Sequence, residues 1–159
     1  SKIGKNKGKY FALVDDEDYD FINQWNWYIT TNKKYAFYAV RKDYKNNKKQ
    51  VLMHRVIMGL SNNMIDHKDH NGLNNQRSNL RYCTASQNNR NRGHTFNKTG
   101  FKGVYYDFRG SLKKPYNAEI RIDGKTVMIG SFATKEEAAL AYDKKAKEIY
   151  GDFVSLNFG

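Results

Sequence analysis

Tyr116-Asn117-Ala118-Glu119-Ile120-Arg121-Ile122-Asp123-Gly124-Lys125-Thr126-Val127-Met128-Ile129-Gly130 is the stretch from which the fold is read. Ala118, Ile120 and Ile122 fall on one side, and Asn117, Glu119 and Arg121 on the other. A period of two marks a half-buried strand. Asp123-Gly124 tolerates the positive φ that a two-residue hairpin needs, so Thr126–Gly130 reads as the return strand. Downstream, Thr134 and Glu137 have the spacing of a capping box. Ala138, Ala141, Tyr142, Ala146 and Ile149 recur at helical spacing, and Gly151 ends the run. Upstream, Gly103–Tyr106 reads as a short strand. The expectation is a three-stranded antiparallel sheet with one helix across one face. The small alanines let that helix lie close, and the opposite face stays open and polar.

Immediately before this unit, Asn88 to Gly100 holds one aromatic, no aliphatic residue and many turn formers. Such a segment cannot bury much and reads as a linker. It carries Arg90, Arg92 and Lys98 and no acid. The whole chain of 159 residues has a formal charge of +12, which favours a polyanionic partner, nucleic acid first. Aromatic residues make up 14% of the chain, which argues against disorder. No apolar run approaches a membrane span, and Ser1-Lys2-Ile3-Gly4-Lys5 has no apolar stretch behind it to make a signal peptide. The single cysteine, Cys83, rules out an internal disulfide and any multi-cysteine zinc site. A cytoplasmic, reducing compartment is expected, with no membrane and no obligatory protein partner.

The N-terminal half is less regular. Tyr10–Val14 reads as a strand and Asp16 to Gln24 as a short acidic helix. Trp27–Thr30 and Tyr35–Arg41 read as strands joined by Thr31-Asn32-Lys33-Lys34. Val51–Met53 is a further strand after the basic turn Lys45–Lys49, and His54 to Leu60 contains a turn of helix. Met64 to Leu73 reads as a strand end and a turn. Ser78 to Asn89 reads as the approach to a helix capped by Thr84.

The densest chemistry lies between Asp66 and Asn91, and three readings compete for it. A calcium loop aligned on Gly72 would put His67 and Ser78 at its first and last ligand positions, where neither fits. A zinc site from His54, His67, His70 and Cys83 lacks a second cysteine. A hydrolytic magnesium site needs a hard oxygen ligand, a neutral imidazole that can take a proton from water, and a second oxygen ligand. Asp66, His67 and Asn88 supply these.

These residues resemble the HNH endonucleases, and most of all the phage and intron-encoded homing branch. The resemblance rests on Asp66-His67, Asp69, Asn71, Asn74-Asn75, Ser78-Asn79-Leu80-Arg81, Thr84 and Gln87-Asn88-Asn89 with Asn91, and on His54-Arg55 upstream. It implies a ββα-metal finger, two strands and a helix around one divalent ion. It implies that His67 is the general base, that Asp66 and Asn88 hold the metal, and that Asn79 ties down the loop and orients the base. Many relatives carry His where Asn88 stands. An amide oxygen is a hard ligand, so Mg2+ or Mn2+ is the expected cofactor, with no structural zinc. His54 reads as a packed histidine, His70 as a turn residue, and His94 as a linker residue. Residues 1–50 resemble the β-rich leader of related nucleases.

The C-terminal unit resembles the DNA-binding domain of plant APETALA and ethylene-responsive factors. That resemblance rests on Phe101-Lys102-Gly103-Val104, Ala118-Glu119-Ile120-Arg121, Ile129-Gly130-Ser131-Phe132, Glu136 to Asp143, Gly151 and Leu156-Asn157-Phe158. It implies that the open sheet face enters the major groove. A carboxylate such as Glu119 can accept from a cytosine amino group, and Arg121 can bond guanine or phosphate. Tyr105, Tyr106, Asp107 and Phe108 stand where plant members carry several arginines, which alters the expected target sequence.

The expected organisation is α+β: a leader at 1–50, an HNH nuclease module at 51–92, a linker at 93–99 and a sheet-helix module at 100–159. The expected function is metal-dependent, site-selective cleavage of double-stranded DNA, with a monomer cutting one strand. The expected DNA contacts are Arg90, Arg92, Tyr105, Arg109, Asn117, Glu119 and Arg121. Two alternatives stand beside it: a DNA-binding regulator with an inactive nuclease fold, and an RNA-binding protein that stacks bases on its tyrosines.

Overall fold

Twelve elements follow one another in the computed structural model, which describes residues 8–32, 36–44, 49–92, 97–109 and 113–159, with only the backbone of Asn32 and Ala36. Ser1 to Lys5, Lys33 to Tyr35, the turn at 45–48 and His94 lie outside the described residues. The chain divides into two compact units, Ser1–Ala85 and Ser86–Gly159.

In the first unit, helix α1 (Asp16–Asn23) is followed by strands β1 (Tyr28–Asn32), β2 (Ala36–Asp43) and β3 (Lys49–Leu52), which form an antiparallel sheet in the order β1-β2-β3. Helix α2 (Met53–Ile57) leads into β4 (Met64–His67), which pairs antiparallel with β5 (Leu80–Cys83). The core gathers Ile22, Ala39, Met53, Val56, Ile57, Ile65, Leu73 and Leu80 from all these elements except β1 and β3. Two expectations are corrected here. Tyr10–Val14 is no strand: Leu13 makes one isolated parallel bridge to Asn74, because its backbone serves as a strap and not as a sheet edge. Leu80–Cys83 is a strand before the helix begins, since its backbone is taken up by pairing with β4.

The second unit opens with α3 (Ala85–Arg90), whose first residue closes the first unit. Strands β6 (Val104–Tyr106), β7 (Tyr116–Ile122) and β8 (Lys125–Phe132) form an antiparallel sheet in that order, and α4 (Lys135–Tyr150) packs on it. Ile122 pairs with Lys125, so the turn is Asp123-Gly124 alone, both with positive φ. The register shifts between Ala118 and Glu119, which leaves Ile129 as the extra residue of a bulge on β8. Val104, Ala118, Ala138 and Ala139 pack together, and Ile120, Tyr142, Ala146 and Val154 form a second cluster. The Thr134–Glu137 capping box is present in both directions, and the Gly151 N–H closes α4 on the Lys147 carbonyl. The polar stretch after α3 buries more than its composition predicts. Asn91 is buried, and the Asn97 amide donates to the Phe101 and Val104 carbonyls at 2.6 and 3.0 Å. Amide side chains replace apolar contacts there.

Candidate active site

Asp66 and His67 are consecutive on β4, so their side chains leave opposite faces of the strand. Both are buried. On one face, Asp66 sits opposite Arg81 of β5, whose Nε and Nη2 both donate to Asp66 Oδ2, at 3.0 and 2.7 Å. On the other face, the His67 ring meets the His54 ring edge-on at 4.9 Å between centroids, and Tyr38 of β2 lies 5.9 Å away. Gly72 makes this packing possible: a Cβ there would come within 2.5 Å of the Tyr38 ring and of the Phe37 carbonyl oxygen.

Burial sets the charge state of both histidines. Burial, with His67 and Arg55 adding to it, pushes His54 down to about 3. Burial also lowers His67, against the opposing pull of the Asn75 amide and of the Asp69 and Asp66 carboxylates. Each imidazole is therefore held neutral to lower pH than a free one, the form that can accept a proton.

The loop after His67 is built by side chains. Asn79 Nδ2 donates to Asp69 Oδ1 at 2.9 Å and to the Asn74 carbonyl at 2.8 Å, while its Oδ1 accepts from the Asp69 N–H at 3.1 Å. Asp69 in turn accepts from the Asn71 N–H and the Asn74 amide, both at 2.8 Å. Burial works against ionisation of Asp69, but the bonds from Asn74, Asn71 and Asn79, with His67 beside them, hold its pKa below the usual value. His70 takes the left-handed conformation at the turn, with φ 63°.

The leader buttresses this loop. Leu13 N–H donates to the Leu73 carbonyl and Asn75 N–H to the Leu13 carbonyl, both at 2.8 Å. Asp15 accepts from the Gln76 side chain and the Arg77 N–H, and Asp18 takes Arg77 in a two-pronged pair at 2.8 and 2.7 Å. Asp66, His67 and Asn79 are thus gathered in the first unit. Asn88 lies half-buried on α3, in the second. Sequence reasoning passed over Arg81, Tyr38, Asp15, Asp18 and Arg77. The only signal for Arg81 was its place in the Ser78-Asn79-Leu80-Arg81 block, and for the acids a charged helix of no stated use.

In the second unit, cross-strand partners share a face. Tyr105, Asn117 and Ser131 form one row of the open face, Glu119 and Met128 the next, and Arg121 and Thr126 the last. Ser131 Oγ donates to Asn117 Oδ1 at 2.7 Å, and Arg121 Nε to the Gly124 carbonyl at 3.1 Å. Arg109 is almost fully exposed just beyond β6. Arg90 ends α3 with its guanidinium 4.2 Å above the Tyr150 ring, and Arg92 is exposed.

An uncharacterised HNH endonuclease of Acanthamoeba polyphaga mimivirus is 30% identical over 162 residues, covering 98% of this chain and 78% of that protein. The chain belongs to the HNH endonuclease family. Dehydration-responsive element-binding protein 2E of Oryza sativa subsp. japonica is 41% identical over 71 residues, 42% of this HNH-family chain and 22% of the rice protein. No family model and no solved structure matches the chain. Among the described residues, no three His, Cys, Asp or Glu side chains gather as a metal cage, and no helix is long and apolar enough to cross a membrane.

Proposed function

We propose that this HNH-family chain is a divalent-metal-dependent endonuclease of double-stranded DNA. The observation that carries the reading is the buried, charge-suppressed His67 at the end of β4, beside Asp66 and next to the loop that Asn79 ties. The neutral imidazole accepts a proton from the attacking water, and Asn79 keeps the loop in place while it does. A positioned base of this kind is worth about 10²–10⁴-fold. The products are 5′-phosphate and 3′-hydroxyl ends, and one such site per chain nicks one strand.

The donor chemistry fits magnesium or manganese. Such ions accept one or two protein oxygens and complete their shell with water and substrate phosphate, so no cage of three acidic or imidazole side chains is required. Asp66 supplies a carboxylate, one of whose oxygens Arg81 orients, and Asn88 supplies an amide oxygen. The ion would offset charge that develops on the scissile phosphate.

The likeness to the rice protein supports a second, DNA-reading module in the sheet unit. Its open face offers Tyr105, Asn117, Glu119 and Arg121 to the major groove, with Arg90, Arg92 and Arg109 serving phosphates. One observation favours a different reading: Arg81 holds an oxygen of Asp66, as it would in a DNA-binding regulator with an inactive nuclease fold. Supercoiled plasmid, with and without magnesium, decides between them. Wild type should convert it to open circles only with the metal, and His67→Ala should not. Wild type inert under every divalent ion leaves the regulator.

A further inference from the structure

Helix α3 is six residues long, too short to hold itself together. Its last carbonyls have no partner within the helix. Lys102 meets them. Its Nζ donates to the Arg90 carbonyl at 2.5 Å, to the Arg92 carbonyl at 3.2 Å and to the Ser155 carbonyl at 3.4 Å. An ammonium has three N–H donors, and here each faces a backbone oxygen. A cation at a helix C-terminus also opposes the helix dipole. The Ser155 N–H adds a bond to the Arg90 carbonyl at 3.3 Å, and the Arg90 side chain lies over Tyr150.

Lys102 is itself held. Its N–H donates to Asn157 Oδ1 at 2.7 Å and its carbonyl accepts from Asn157 Nδ2 at 3.1 Å. Asp143 fixes Asn157 through the backbone N–H and the amide, all at 2.9 Å. Two residues on, β6 begins, and its Tyr105 pairs with Asn117 on the open sheet face. Continuous hydrogen-bonded structure thus runs from the face proposed to read DNA, through Lys102, to the helix that carries Asn88. Burial lowers the Lys102 pKa even with Asp143 nearby, so this lysine bears a desolvation cost that a surface phosphate contact would not.

We infer that Lys102 is a positioning residue for cleavage: it locks α3 and Asn88 onto the sheet unit, so that sheet docking sets which phosphate is cut. The inference rests on the reading of the sheet as the DNA-docking face and of Asn88 as a metal ligand.

Lys102→Met and Lys102→Arg in the full chain test it, on end-labelled duplex carrying the wild-type cut site. Lys102→Met should cut that phosphate about tenfold more slowly or spread cuts over neighbouring phosphates, a cost of about 1.4 kcal/mol. Site affinity in calcium should stay within about threefold of wild type, and amide exchange across α3 should quicken. Lys102→Arg, which can still donate to the carbonyls, should restore the single cut. Tyr150→Leu, which removes the ring beneath the Arg90 guanidinium, should spread the cuts in the same direction. Lys102→Met with a wild-type cut pattern and rate overturns the inference, as does an affinity loss that accounts for the whole rate loss. Should Asn88→Ala cleave normally and Arg121→Ala keep full sequence preference, the underlying reading falls instead.

Discussion

Each unit is stabilised internally by a different balance of contacts. In the sheet unit, apolar residues at regular spacing meet between sheet and helix, and the buried polar residues among those described are two, Asn91 and Asp143. In the first unit the buried polar groups are more numerous: Asp66, His67, His54, Asn75, Asn79 and Asp18 are all under a tenth exposed. A buried polar group needs a partner, and some of these find one distant in sequence. Arg77 and Asp18 are an example, 59 residues apart. A periodic apolar face tolerates exchange of one residue for another of like size, whereas a polar network fails at each broken tie. That contrast predicts where damage is confined to one unit.

The largest effect is expected at His67. His67→Ala should lower nicking by about two or more orders of magnitude and leave DNA binding in calcium intact. Wild-type activity should rise with pH through a midpoint below the ordinary imidazole range, since burial lowers His67 and the base works when neutral. Asn79→Ala should slow the reaction and keep this pH dependence. A profile that disappears with His54→Ala or His70→Ala would move the base and remove the first unit's side of the comparison.

Acid should find the first unit first. The His54 pKa is about 3 in the fold and about 6.5 in the unfolded chain. Between those values the unfolded chain binds the extra proton, so stability is full above pH ~6.5 and is lost as pH falls toward ~3, by a few kcal/mol. Denaturant midpoints at about pH 7.5 and 5, read by hydrogen exchange in each unit, should show the unit that holds His54 losing more. His54→Leu should shrink the difference. Equal loss in both units would erase the distinction drawn above.

A matched pair of glycines sharpens it. A Cβ at Gly72 would strike the Tyr38 ring and the Phe37 carbonyl, and one at Gly103 would come within 2.0 Å of the Tyr142 ring at a φ of 73°. Either Gly→Ala change should cost about 1–3 kcal/mol from overpacking. Gly72→Ala should impair cleavage beyond its effect on DNA binding, because Tyr38 lies against His67. Gly103→Ala should impair binding, with cleavage following it. Unfolding curves and gel shifts on both variants read the two losses separately.

Smallest are the losses at single DNA contacts. Arg121→Ala should cost about 1–3 kcal/mol on the preferred site and relax sequence preference. Arg92→Ala should weaken every sequence alike and flatten the salt slope by about 1. Equal losses on specific and random DNA for Arg121→Ala would take base reading away from the sheet.

Sequence alone determined the hairpin, the third strand and the long helix of the sheet unit. Strand alternation, the Asp123-Gly124 turn, the Thr134–Glu137 box and the Gly151 stop are local signals, and the fold obeys them because one apolar face has one place to go. The bulge at Ile129 was not legible, since a register shift belongs to a pair of strands and not to either one. The family resemblance singled out Asp66, His67 and Asn79 in the first unit and Asn88 in the second. It could not say that Arg81 would stand opposite Asp66, that His54 and Tyr38 would enclose His67, or that an acidic leader helix would hold Arg77. Nor could composition foresee that Lys102 would close α3. These are partnerships between residues far apart in the chain, chosen by the need to satisfy buried charge and buried amides. Only the tertiary structure brings the partners within reach.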